Sequence, residues 1–448
     1  MRARAAAAYA AMILGAVALF LLIRSYGESL SPPVAASIAA RPATGSSDVL
    51  WHLLLALTAV VVAGRSLGSL FRLVGQPPVI GEVVAGILLG PSLLGRIAPD
   101  AYLYILPPEI APFLGVLAQL GVIIYMFLVG LELNPDLLRG QFHVSVATSH
   151  ASIVVPFILG SALALYLYPA LAPSGVPFTH FALFLGIAMS ITAFPVLARI
   201  LSDQGMTASR LGVLALTCAA VDDVTAWCLL AFVVGVVNAT GERALPVMGL
   251  TVTFMAAMFL AVRPLFQRLV VSPSGMKPTQ GAFTLALIAM LASALVTEAI
   301  GIHAIFGAFL LGAVIPNDSA LARSLRQSGD LVIVLLLPAF FAFTGMRTEI
   351  GLVSGVHGWL ICALIVFVAT AGKFGGTVVA ARASGLDWRH AAGLGILMNT
   401  RGLMELIVLN VGLDLGVISQ TLFTMMVLMA LATTVATTPI LRRLVLTR

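Results

Sequence analysis

Charge is scarce in this chain: Asp, Glu, Lys and Arg make up 9% of its 448 residues, where a soluble domain carries roughly a quarter. Lysine is almost missing, with only Lys277 and Lys373. There are three cysteines, Cys218, Cys228 and Cys362, all inside apolar runs and none in a Cys-x-x-Cys pair. They read as small buried hydrophobes and exclude a disulfide framework or a cysteine-held metal. No Gly-x-x-x-x-Gly-Lys-Ser/Thr loop occurs, which argues against ATP hydrolysis. Seven dispersed histidines contain no His-Glu-x-x-His, so neither a transition-metal site nor a cofactor is expected. What fills the chain instead is apolar: 60% hydrophobic residues and a mean hydropathy of +1.09. It reads as an all-α, polytopic membrane protein, because long apolar runs satisfy their backbone groups in lipid only as helices.

A crossing helix needs roughly 20 mostly apolar residues to span ~30 Å of hydrocarbon. From Val49 onward the sequence offers about thirteen such runs, near 49–74, 78–94, 111–133, 143–168, 180–201, 209–237, 245–271, 280–300, 303–316, 330–346, 356–383, 390–413 and 418–441. Before them, Ala5 to Ile23 is either a signal peptide or an extra helix, followed by a Ser/Pro/Ala-rich external linker that closes an N-terminal segment of residues 1–48. The net charge of +6 does not point to nucleic acid, since the basic residues are scattered beside apolar runs. Drawn alternately, the helices put Arg65, Arg72, Arg139, Arg199, Arg210, Arg263, Arg268, Lys277, Arg323, Arg326, Arg382, Arg389, Arg442, Arg443 and Arg448 on one side. The other side receives mainly Arg96, Arg243 and Arg347. The basic side is therefore cytoplasmic, and the C-terminus with it.

Two runs are broken in mid-membrane, at Ser190-Ile191-Thr192-Ala193-Phe194-Pro195 and at Met398-Asn399-Thr400-Arg401-Gly402. They lie seven spans apart and so run in opposite directions, which is the signature of an inverted repeat with two discontinuous crossing helices. Half-helix ends at the midplane carry partial charges that can hold ions.

The most informative residues are Asp222 and Asp223, adjacent in a span. A charge at the centre of a bilayer costs from ~2.5 kcal/mol upward, so it faces a wet cavity or a partner. Neighbouring helix residues point ~100° apart, and the two carboxylates must therefore play different parts. Lys373, too deep to snorkel, is the partner for one of them, Asp222 or Asp223; the other is left to trade a proton for a cation. Competition between a proton and a hard monovalent cation for the same oxygens gives exchange if access alternates. Arg401 and Glu405, four residues apart on one helical face, can neutralise each other as a structural pair or as a gate. Glu82 and Glu132 read as interfacial or protonated structural carboxylates, Glu298 as solvated, and His303 and His357 as interfacial polar groups.

Taken in order, several segments resemble the bacterial monovalent cation:proton antiporters, the second cation:proton antiporter family of the sodium/hydrogen exchanger superfamily. They are Gly75-Gln76-Pro77-Pro78-Val79-Ile80-Gly81-Glu82, Phe127-Leu128-Val129-Gly130-Leu131-Glu132-Leu133, the aspartate pair, Gly372-Lys373-Phe374 and Asn399-Thr400-Arg401-Gly402-Leu403-Met404-Glu405-Leu406. The resemblance covers roughly residues 50–445. It implies a homodimer in the bacterial inner membrane, with membrane lipids around it, dimerisation spans at about 49–133 and 280–346, core spans at about 143–237 and 356–441, and a linker helix at about 245–271. It also implies that Asp223 carries the alkali cation or the proton, that Asp222 faces Lys373, and that Thr192 adds a polar group to the ion site. Relatives with an Asp-Asp pair and this lysine exchange Na+, with Li+ as an alternative cargo. Potassium relatives tend to carry Gln-Asp and a cytoplasmic nucleotide-binding domain. Na+ is favoured over K+ here, although Phe194 and Pro195 depart from the smaller polar residues of many sodium exchangers. A cation channel would need a repeated filter, and an intramembrane aspartyl protease would need Gly-x-Gly-Asp; neither is present.

Overall fold

Backbone groups inside hydrocarbon must bond within their own segment, and each apolar run in the computed structural model is accordingly helical. The structure describes residues 2–30, 49–132, 142–207, 209–238, 244–270, 280–316 and 319–446. Arg139, Arg243, Lys277, Arg448 and most of the external linker lie outside the described residues. In chain order the helices are α1 (Arg2–Gly27), α2 (Val49–Leu73), α3 (Pro78–Leu89), α4 (Leu94–Ile97), α5 (Pro99–Ile105), α6 (Ala111–Glu132), α7 (Phe142–Leu171), α8 (Phe178–Ser190), α9 (Phe194–Asp203) and α10 (Arg210–Asn238). There follow α11 (Ala244–Ala257), α12 (Arg263–Val270), α13 (Gln280–Ile300), α14 (Ala304–Val314), α15 (Ala320–Met346), α16 (Gly355–Ala383), α17 (Trp388–Met398), α18 (Leu403–Asp414) and α19 (Gln420–Leu441).

Among the described residues, twelve helical stretches, α1 among them, are long and apolar enough to cross a membrane, and the α17–α18 pair, bent by 43°, adds a further crossing. Together with the shorter apolar α14, this reproduces each of the thirteen runs expected from Val49 onward. The boundaries move where lipid stops deciding them. α15 begins ten residues before the apolar run, where the Ser319 hydroxyl accepts the Ala322 N–H at 3.1 Å; its first turns carry Arg323, Arg326 and Gln327, which a hydropathy pattern does not count. α3 stops at Leu89 because Gly90-Pro91 cannot continue it. The short α4 and α5 follow, and the apolar pattern had not shown them. Cys228 also departs from expectation: it is exposed at the protein surface, whereas Cys218 and Cys362 are buried.

Helices α2, α3, α6, α13, α14 and α15 pack among themselves, and α7, α8, α10, α16, α17 and α19 form a second group. Glycine lets axes approach in both. A Cβ on Gly312 of α14 would sit 2.1 Å from the Phe127 carbonyl oxygen of α6. In the second group, Cβ atoms on Gly372 and Gly376 of α16 would sit 2.9 Å from Pro156 Cα and 2.8 Å from the Ala151 carbonyl oxygen of α7. That contact brings Lys373, between those glycines, against α7 and the middle of α10. α1 lies on the same group, with the Phe20 ring tilted against Phe157 of α7 at 5.8 Å between centroids and Thr179 donating to Glu28 at 3.1 Å.

Candidate functional site

The two breaks meet. α8 ends at Ser190 and α9 starts at Phe194; α17 ends at Met398 and α18 starts at Leu403. Between them the backbone is non-helical, and the exposed peptide groups bond across the crossing: the Ala193 N–H donates to the Thr400 carbonyl at 3.0 Å. Pro195 falls in the first turn of α9, where a missing N–H costs nothing. Thr434 of α19 clamps the second break, accepting the Arg401 N–H at 3.1 Å and donating to the Arg401 carbonyl at 2.7 Å.

The half-helix ends then find charges of opposite sign. The last carbonyls of α8, left without intrahelical partners, carry partial negative charge. Arg401 donates to Ala188 O at 3.0 Å and to Met189 O at 2.7 Å, and the Lys373 ammonium donates to Ser190 O. At the facing end, the Phe194 N–H that opens α9 acts electrostatically on the Asp223 carboxyl.

Asp222 and Asp223 have opposite fates. Asp222 is fully buried, and its Oδ2 lies 2.8 Å from Lys373 Nζ and 2.7 Å from Thr192 Oγ1. From α7, Ser149 donates to its Oδ1 at 2.5 Å, and the Ser152 hydroxyl lies 3.1 and 3.0 Å from its two oxygens. Asp223 is also buried, yet its Oδ1 has no hydrogen-bond partner. The Thr192 hydroxyl sits on Asp222, not on Asp223, and also lies 3.0 Å from the Met398 carbonyl. Arg401 and Glu405, both fully buried, pair at 3.1 Å.

Around this crossing, then, three carboxyls (Asp222, Asp223, Glu405) are buried with two cations (Lys373, Arg401). With every group ionised the cluster is one unit negative. One proton or one monovalent cation restores neutrality, and the carboxyl of the aspartate pair with a free oxygen is Asp223.

The profile of the family described as sodium/hydrogen exchanger, transmembrane, matches residues 53–446. This chain belongs to that family. Among its relatives is the Na+/H+ antiporter NhaS4 of Synechocystis, 47% identical over 87% of this chain and 96% of that protein. Cation/H+ antiporter 17 of Arabidopsis thaliana is 39% identical over 87% of this chain, which spans 48% of the plant protein. Among solved structures, the sodium proton antiporter MjNhaP1 of Methanocaldococcus jannaschii superposes with a TM-score of 0.64 over 88% of this chain and 96% of that one, at 14% identity. That likeness is one of fold.

The remaining candidates of this exchanger-family chain lie elsewhere. Glu82 is buried in α3 beside Gly64 of α2; Glu132 ends α6 and is exposed. Glu298 accepts the Ala304 N–H at 2.7 Å and so caps α14. Ser149, Ser152 and Thr434 were missed by sequence reasoning. Their one signal was the single-turn spacing of the two serines in an otherwise apolar run.

Proposed function

We propose that this exchanger-family protein is a secondary transporter that exchanges a monovalent cation, Na+ by preference and Li+ as an alternative, for protons by alternating access at Asp223. One observation carries the reading: of two adjacent buried carboxyls, Asp222 takes its hydrogen bonds from protein groups while Asp223 keeps an oxygen with none. Burying an unpaired carboxylate oxygen is costly, and an arriving ion relieves that cost. Asp222, held by Lys373, Thr192 and two serines, serves as fixed counter-charge. Thr192 acts on the ion site through Asp222. Arg401 and Glu405 hold the crossing. The names of its relatives support cation/proton exchange with Na+ in front; K+ in place of Na+ is the second reading, favoured by the departure at Phe194-Pro195. A protease would need two free carboxyls on separate helices, and Asp222 is engaged.

The two packing groups support a division into a dimerisation part (about 49–133 and 280–346) and a core (about 143–237 and 356–441), joined by a linker at about 245–271 and related as inverted repeats. The protein would be a homodimer in the bacterial inner membrane with its C-terminus in the cytoplasm. α1, docked on α7 and α8, favours a retained extra helix over a cleaved signal peptide.

The test is dissipation of a preformed pH gradient in everted vesicles on adding Na+, Li+ or K+. Wild-type protein collapses the gradient and Asp223→Asn does not. Because proton and cation compete for one carboxylate, lowering pH raises the apparent KM for the cation and leaves the maximal rate unchanged. Undiminished exchange by Asp223→Asn would remove Asp223 as carrier.

A further inference from the structure

Four side-chain oxygens near the crossing are buried without a partner: Asp223 Oδ1, Glu405 Oε1, Asn399 Oδ1 and Thr400 Oγ1. The last two belong to the second break. Many threonine hydroxyls in its spans turn back to the carbonyl four residues earlier, as Thr217, Thr225, Thr377 and Thr433 do at 2.7–3.0 Å. Thr400 has no such carbonyl to meet, since it stands in the non-helical stretch between α17 and α18. The neighbouring cations do not serve it either. Arg401 points at Ala188, Met189 and Glu405, and Lys373 at Ser190 and Asp222.

The backbone ties these oxygens to the carrier. Ala193 N–H bonds the Thr400 carbonyl, and the N–H of the next residue, Phe194, acts electrostatically on the Asp223 carboxyl. Successive residues are ~3.8 Å apart, so Thr400, bonded to Ala193, lies on the same side of the crossing as Asp223. An oxygen-seeking cation that sheds water needs roughly six oxygen neighbours. Asp223 supplies at most two. Neutral oxygens must provide the others, and their number and field strength set which cation is preferred.

We infer that Asn399 and Thr400 lend their side-chain oxygens to the transported cation and, with Asp223, decide its selectivity. This rests on Asp223 as the carrier. The protonated state needs neither oxygen, so Asn399 and Thr400 act on the cation half of the cycle and not on the proton half.

Isothermal titration of the purified full-length protein with NaCl, LiCl and KCl at one alkaline pH tests it without requiring transport. Thr400→Val and Asn399→Leu should each weaken Na+ binding by about tenfold, the size of one lost ligand, and should change the Na+ to K+ ratio. Thr400→Ser, which keeps the hydroxyl, should stay within about twofold of wild type. Wild-type Na+ affinity in both Thr400→Val and Asn399→Leu would overturn the inference and leave Asp223 standing as carrier. Undiminished Na+ binding by Asp223→Asn would overturn the carrier and this inference together. Should Thr400→Val fail to fold, Thr400→Cys replaces it: a thiol is a poor ligand for a hard cation, so equal affinities of the Ser and Cys variants would also overturn the proposal.

Discussion

Lys373 shows how one side chain can fix the roles of two neighbours. Its side chain is fully buried, and its ammonium bonds Ser190 O and Asp222 but gives no hydrogen bond to Asp223. Because adjacent helix residues point ~100° apart, only one of two consecutive carboxylates can meet the same small partner. A buried ion pair is roughly neutral for stability as a pair, but removing one member leaves an uncompensated charge that costs on the order of 3–5 kcal/mol. Lys373→Ala should therefore lower the melting temperature of the detergent-solubilised protein markedly. The double variant Asp222→Asn/Lys373→Met, with no charge left to strand, should recover much of that loss. A single Lys373→Ala variant as stable as wild type would show that the pair is not holding the core.

At the scale of elements, the pair depends on how closely α7 and α16 approach. Gly376 faces Ala151, which lies between Ser149 and Ser152, and a Cβ there would come within 2.8 Å of the Ala151 carbonyl oxygen. Gly376→Val should push the helices apart, destabilise the protein by about 1–3 kcal/mol as overpacking does, and weaken Na+ binding because the serines leave Asp222. Gly375→Ala is the control, since nothing lies within 4 Å of its Cβ position and alanine favours helix. Thermal melting and Na+ titration of both variants check this. The same elements mark how far the sequence could be read. Both breaks were legible, at Ser190–Phe194 and Met398–Leu403, because polar residues, Pro195 and Gly402 interrupt otherwise apolar runs. The extra turns of α15 were not, since they leave the lipid and lose the apolar signal. Ser149 and Ser152 were hidden for another reason: Thr225 and Thr377 place the same kind of polar group in a span and bond their own helix. Only the fold shows which hydroxyls turn outward. That Thr192 serves Asp222 and not Asp223 was likewise a matter of where the break points, which no spacing encodes.

At the scale of the molecule, alternating access as proposed would move the two packing groups against each other, and the structure shows a polar seam beside the end of α15, where it meets α18 and α19. Arg347 donates to Asn410 at 3.0 Å and pairs with Asp414 at 2.5 Å; Asn410 donates to Thr344 at 2.8 Å, and Gln420 donates to the Arg347 carbonyl. The arginine and aspartate side chains are 27% and 35% exposed, and a partly solvated pair of this kind contributes about 0–1 kcal/mol. Such a contact is weak enough to open in each cycle, which suits a surface that must part, whereas the glycine-packed helices within each group have no such freedom. With the basic side in the cytoplasm, as proposed, Arg347 would lie on the outer side and the seam would close the outer route. Thr344→Cys/Asn410→Cys, in a background with Cys218, Cys228 and Cys362 replaced, puts two thiols where the side chains already meet, and a disulfide needs Cα atoms within about 7 Å. Oxidation should cross-link the pair and stop gradient dissipation in everted vesicles, and reduction should restore it. If the cross-linked protein exchanged at the wild-type rate, the two groups would not separate at this seam, and the motion that exposes Asp223 to the outside would have to occur within the core itself.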